Sequence, residues 1–163
     1  MRFVLSCLLL LTLFGQESPR NRKASLIGKP AQSFEAVGLD GKTYSLDSLR
    51  GKPVLLDFFA TWCSPCIESM PTVEKLKSEY GPKGLIVLGV DVGDSRGTVE
   101  KFVRVHRISY PVIIGKDSGI AAAYSITVYP TFVMIDSDGK IAELQSGFQE
   151  AALSGIVTKA GLR

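Results

Sequence analysis

The passage from Leu55 to Pro71, LLDFFATWCSPCIESMP, constrains this chain more than any other. It begins inside PVLLDFF (53–59), an apolar run of strand length interrupted only by Asp57. A run without polar alternation is the pattern of a strand buried on both faces of a sheet. Two cysteines two residues apart, Cys63 and Cys66, then open a segment with a different period. Ile67, Met70, Val73 and Leu76 recur every three residues, with Glu68, Glu74, Lys75, Lys77 and Glu79 between them. This predicts an amphipathic helix ending near YGPKG, with a kink at Pro71. A strand covered on both faces needs helical layers, so the chain has to build an α/β sandwich.

The rest of the chain fits that frame. SFEAVGL and TYSL flank DGK, whose Asp-Gly step suits a tight hairpin turn. DSLRGK reads as a helical turn, LIVLGVDV (85–92) as a second buried strand and GTVEKFVRVHRI (97–108) as a helix. PVII (111–114) is a short strand and SGIAAAYSI (118–126) a short helix. TFVMID (131–136) and IAELQSGF (141–148) form a hairpin around SDGK, and residues 149–161 a closing helix. The first half requires right-handed parallel crossovers and the end is antiparallel. The expected fold is α/β, a mixed central sheet flanked by helices, with an N-terminal β-hairpin.

With 163 residues the chain has about one domain's worth of length, enough to fold without a covalent staple. The net charge of +3 is small, and charges of both signs are scattered. That pattern speaks against a nucleic-acid footprint or a charged binding tail. Residues 1–15, MRFVLSCLLLLTLFG, pair a basic start with an apolar stretch too short for a comfortable membrane span. They read as a signal peptide or an N-terminal membrane anchor, followed by a linker at 16–25 and a domain at 26–162. Removing residues 1–15 takes Cys7 with them and leaves Cys63 and Cys66 as the only thiols. That suits an oxidising compartment, where a stray cysteine would mispair.

Three chemistries compete for the cysteine pair. Zinc asks for four ligands, and the chain offers one pair and one histidine, His106, in a polar, basic helix that reads as surface. A structural disulfide across a two-residue gap removes little chain entropy. Redox exchange fits best. The start of a helix carries free N–H groups and the positive end of the dipole, which favour a thiolate. Cys63 is then the attacking thiol and Cys66, one turn later and more buried, the resolving one. Pro65 suits a first helical turn. A thiolate pair can also hold Cu(I), although no methionine-rich or histidine cluster accompanies it.

FATWCSPC resembles the active site of thioredoxin-like proteins, and residues 26–162 resemble the TlpA/ResA branch of that superfamily, whose annotations overlap with AhpC/TSA and redoxin families. Trp62 stands just before the first cysteine, Pro71 matches the kink proline, and VYPT (128–131) precedes an apolar strand as the family's cis-proline loop does. The resemblance implies a thioredoxin fold with a helix–strand insert between the cysteine helix and the cis-proline strand. It implies that Pro130 is cis beside the cysteines, and that the Tyr129 backbone pairs with a client chain. Trp62, Ser64, Pro65 and Thr131 complete the expected client-binding set. Many members carry a glutamate where this chain has Ser69, and Glu68 lies about 100° away round the helix. Asp57, six before Cys63, matches the buried carboxylate of thioredoxin. Desolvation should raise its pKa and make it the general acid/base for Cys66. Tyr44, Tyr80, Tyr110 and Tyr124 read as packing residues.

The function these readings imply is an exported, periplasmic or outer-face thiol–disulfide oxidoreductase that reduces protein disulfides, with apocytochrome c thiols among its clients. It would act as a monomer, draw electrons from a transmembrane thiol donor, and need no cofactor or metal beyond the Cys63–Cys66 pair. Alternatives are a disulfide-introducing oxidant, a Cu(I)-binding protein and a thiol peroxidase. The last would want Thr or Ser three before the reactive cysteine and Pro seven before it, where this chain has Ala60 and Leu56.

Overall fold

The computed structural model describes residues 24–163 except Asp117. The signal or anchor expected at 1–15 and most of the 16–25 linker lie outside the described residues. Five strands form the central sheet: β3 (Val54–Phe59), β4 (Ile86–Asp91), β5 (Val112–Ile114), β6 (Thr131–Ile135) and β7 (Ile141–Ser146), in the order β5-β4-β3-β6-β7. β3, β4 and β5 run parallel, and β6 and β7 close the sheet antiparallel. β1 (Glu35–Val37) and β2 (Thr43–Ser45) form the expected hairpin, which a bridge from Gly38 to Ile113 lays against the β5 edge.

β3 is the middle strand, and all six of its residues are buried. Alternation sorts them onto two faces. Leu55 and Phe59 join a cluster with Met70, Val73 and Leu76 of α1 (Ser64–Tyr80), Phe102 of α2 (Arg96–His106) and Leu153 of α4 (Glu150–Gly155). Val54, Leu56 and Phe58 join a second cluster under the hairpin and α3 (Ile120–Ala123). Asp57 belongs to the first face, the one that α1 covers. Each fully buried Leu, Ile or Phe contributes roughly 1.5–3 kcal/mol, so both faces hold the sheet in place.

Three helical expectations are corrected. The helix predicted at 118–126 is a single turn, Ile120–Ala123, because Ser125 takes a positive φ of 54° behind it. The closing helix predicted at 149–161 divides into α4 and a 3₁₀ segment, Ile156–Ala160. Gly155 and the β-branched Ile156-Val157 pair weaken the α-helix there. α2 ends at His106 rather than 108, because Arg107 turns left-handed with φ 55°. α1, by contrast, runs unbroken as one element from Ser64 to Tyr80 with Pro71 inside it. Between α1 and β6 lie β4, α2, β5 and α3, which supply the expected additional helix and strand.

Candidate active site

β3 delivers the chain to the end of the sheet, and four residues separate it from the start of α1. The turn is closed by the Cys63 amide donating to the Ala60 carbonyl at 3.1 Å. Cys63 is the N-cap of α1, with extended backbone angles of −89° and 102°. Its Sγ accepts the amide of Cys66 at 3.3 Å, the place where a serine or aspartate oxygen usually caps a helix. Pro65 falls in the first turn, where a missing N–H costs nothing. Cys63 and Cys66 are joined by a disulfide, with Cα atoms 5.3 Å apart. When the bond opens, Cys63 Sγ is left facing the Cys66 N–H at the positive end of α1, surroundings that favour an anion.

The rim is aromatic. Trp62 is 70% exposed, and its ring meets that of Tyr129 edge-on, with centroids 6.3 Å apart. This contact joins the cysteine turn to the loop that carries Pro130. The Tyr129–Pro130 peptide is cis, and the Pro130 carbonyl accepts the Gly147 amide at 2.8 Å. Ser64 and Pro65 are exposed beside Trp62. Thr131 is different: its side chain is fully buried and donates to the Val128 carbonyl at 2.7 Å. It braces the loop from below.

Asp57 lies beneath this surface, 1% exposed. Its Oδ2 accepts the Tyr110 hydroxyl at 3.0 Å, and Oδ1 has no partner among the described residues. Burial pushes the carboxyl up to about 7, with the Tyr110 hydrogen bond pulling the other way. Ser69, at the position of the family's glutamate, is buried and spends its hydroxyl on the Cys66 carbonyl at 2.7 Å. Glu68 is exposed. His106 packs on Phe102, with ring centroids 4.3 Å apart. Among the described residues no group of three or more His, Cys, Asp or Glu side chains gathers to hold a metal ion.

Tyr110 was not legible as a site residue, since a tyrosine before a short apolar strand reads as packing. Nor was the second carboxylate cluster. Asp91, fully buried at the end of β4, accepts the amides of Gly93 and Asp94, at 3.3 and 2.9 Å. Asp94 in turn accepts the amide and hydroxyl of Thr61, at 3.0 and 2.9 Å. These bonds pin the residue before Trp62. Burial raises Asp91 to about 6. Its signal in the sequence was VDVGD, an aspartate followed by a loop, which is common to many turns.

The AhpC/TSA family model matches residues 27–144. The chain is 37% identical over 134 residues to the thiol-disulfide oxidoreductase ResA of Bacillus cereus, covering 82% of this chain and 78% of that one. It is 34% identical over 126 residues to ResA of Geobacillus thermodenitrificans, covering 77% and 72%. A thiol:disulfide interchange protein of Chlorobium tepidum superposes with a TM-score of 0.71 at 30% identity, over 80% of this chain and 94% of the other. A secreted Mycobacterium tuberculosis disulfide oxidoreductase homologous to DsbE superposes with a TM-score of 0.68 at 25% identity, over 77% and 94%.

Proposed function

Since this chain belongs to the AhpC/TSA family and is a thioredoxin-fold thiol–disulfide oxidoreductase of the DsbE/ResA type, we propose that it reduces the disulfides of protein clients outside the cytoplasm. The observation that carries the reading is the Cys63–Cys66 disulfide capping α1 next to the Pro130 loop. In the reduced enzyme the Cys63 thiolate attacks one sulfur of the client disulfide. A Cys63–client bond forms, and the other client sulfur leaves as a thiolate. Cys66 then gives its proton to the Asp57 carboxylate and attacks Cys63 Sγ. The Cys63–Cys66 bond forms, the second client sulfur departs, and the proton follows to a client thiolate. Two electrons have passed to the client. A second dithiol, held by a membrane protein, returns them through the same exchange run in reverse.

The cysteine pair is itself the electron carrier in this scheme, so no bound cofactor is required. Trp62, Ser64, Pro65 and the Tyr129 backbone form the surface on which an extended client segment lies, and the cis Pro130 and buried Thr131 hold that loop. Export rests on the character of residues 1–15, acting as signal peptide or anchor ahead of the 16–25 linker and the 26–162 domain, and on likeness to a relative described as secreted. Among the described residues no helix is long and apolar enough to cross a membrane. Apocytochrome c thiols are one client class, and the enzyme works as a monomer. Equilibrating the pair with glutathione or dithiothreitol tests the direction of flow. A potential near about −270 mV supports a reductant, and one near about −120 mV makes the protein an oxidant and overturns the proposal.

A further inference from the structure

The mechanism so far leaves Tyr110 without a task, yet three independent features converge on it. The first is Gly89. It is the register partner of Asp57 on β4, and it presents no side chain. A Cβ there would lie 3.1 Å from Tyr110 Cε2, 3.0 Å from Val112 Cγ2 and 3.2 Å from Phe59 Cε1. A glycine in the middle of a buried strand weakens the strand, and it marks a close approach by another group. Here the Tyr110 ring fills the space beside Asp57.

The second feature is a clamp. The Ser109 amide donates to Glu74 Oε1 at 2.6 Å, and its hydroxyl donates to Glu74 Oε2 at 2.6 Å. Lys77 Nζ donates to the same hydroxyl at 2.9 Å. Glu74 and Lys77 belong to α1, the helix whose first turn holds the cysteines. The helix that carries the redox pair therefore also fixes the residue next to Tyr110. The third feature is that the Tyr110 hydroxyl is the only donor Asp57 has among the described residues, while Asp57 Oδ1 remains bare.

We infer that Tyr110 is a positioning residue for the exchange reaction: its hydroxyl holds Asp57 Oδ2 and leaves Oδ1 as the oxygen that trades a proton with Cys66. The inference rests on Asp57 being the proton acceptor proposed above. The titratable and charged neighbours of the pair are few. α1 presents Cys66, Glu74 and Lys77. Glu74 bears on Tyr110, whose phenol is held well above its ordinary value by burial and then by Asp57. β4 presents Gly89 and, two residues on, Asp91, whose charge bears on Tyr129. β6 pairs Phe132 with Asp57, and the C-terminal helix contributes Leu153 to the same apolar cluster. On Asp57 itself burial is opposed only by the Tyr110 hydroxyl.

The test uses the full chain and the variant Tyr110→Phe, which keeps the ring in its slot. The rate at which the reduced enzyme clears its mixed disulfide with an oxidised peptide is followed by acid quenching from pH 5 to 9. The Asp57 carboxyl is titrated in parallel by carbon NMR. Losing a hydrogen bond to the charged form raises the carboxyl's pKa, by about one unit for a bond of this kind. Both the kinetic midpoint and the NMR midpoint should therefore move up by about one pH unit. At pH 7 the variant should clear the intermediate roughly fivefold more slowly, and recover as pH rises. Gly89→Ala, which leaves Tyr110 in the sequence but displaces its ring, should shift both midpoints the same way. Asp57→Asn should flatten the kinetic profile. If Tyr110→Phe keeps the wild-type midpoints while Asp57→Asn flattens the profile, the tyrosine has no such role and the carboxylate retains its own. If Asp57→Asn also leaves the profile intact, the acceptor reading falls and the inference falls with it.

Discussion

The two faces of the sheet each enclose a tyrosine, and the two are put to different use. Tyr124, fully buried behind β3, donates to the Gln32 carbonyl at 2.7 Å. Tyr110, 3% exposed in front of β3, donates to Asp57 at 3.0 Å. Burial raises the pKa of both phenols. The partner makes the difference. A backbone carbonyl cannot take up a proton at any physiological pH, so the Tyr124 bond only ties the chain near Gln32 to the core. A carboxylate can, so the Tyr110 bond controls a group that titrates. The rear face, with Phe58, Leu88 and Tyr124, is a structural wall. The front face spends part of its stability on a buried carboxyl, on the same side of β3 as the apolar cluster that includes Cys63 and Cys66.

That contrast can be broken by four changes. The largest effect on activity comes from Cys63→Ala, which should abolish disulfide exchange while leaving a folded protein, as a client-disulfide reduction assay and a melting curve would show together. Its rear-face counterpart is Phe58→Ala. A fully buried phenylalanine truncated in a packed core should cost about 3–5 kcal/mol in urea unfolding, with turnover per folded molecule preserved. If turnover per folded molecule falls as well, the two faces are not separable.

Asp57→Asn probes the front face through pH. The folded carboxyl sits near 7 against 3.8 for the exposed group, so the folded state binds the extra proton. Its stabilising effect is complete below about pH 4 and is lost as pH rises through about 7. Wild-type stability should therefore fall by up to about 4 kcal/mol between those limits, seen as a drop in urea midpoint. The asparagine variant should lose most of that slope, keeping the part due to Asp91, raised to about 6. The smallest effect belongs to Tyr124→Phe. It should cost about 1 kcal/mol and leave the pH dependence of exchange where it was. A shifted kinetic midpoint in that variant would erase the distinction between the two tyrosines.

Local patterns carried much of this architecture. The change of period at Cys63 located both β3 and the start of α1, and the Asp-Gly and cysteine motifs located the hairpin and the redox pair. Asp57 could be anticipated as buried because nothing around it in VLLDFF is polar. Tyr110 could not be paired with it. The two are 53 residues apart, and their contact depends on β4 placing Gly89 in register with Asp57. Strand register is a property of the assembled sheet and leaves no mark in either segment alone. The burial of Thr131 was equally hidden: its neighbour in sequence is a surface loop, yet it opens β6, a strand buried along its whole length. The break at Gly155 had a local sign, a glycine followed by two β-branched residues, whereas the positive φ of Ser125 had none.

The position of Trp62 has an optical consequence. It is the sole tryptophan of the chain, it is largely in water, and its neighbour in sequence is a sulfur of the redox pair. Disulfides quench excited indoles at short range. Indole emission from this protein, excited selectively at the red edge of its absorption, therefore comes from a single lamp mounted on the catalytic lip. It should brighten when the pair is reduced and dim when it is oxidised, giving each turnover a signal without any added dye. The same lamp is blind to the rear of the sheet, so a local change confined to that face would pass it unseen.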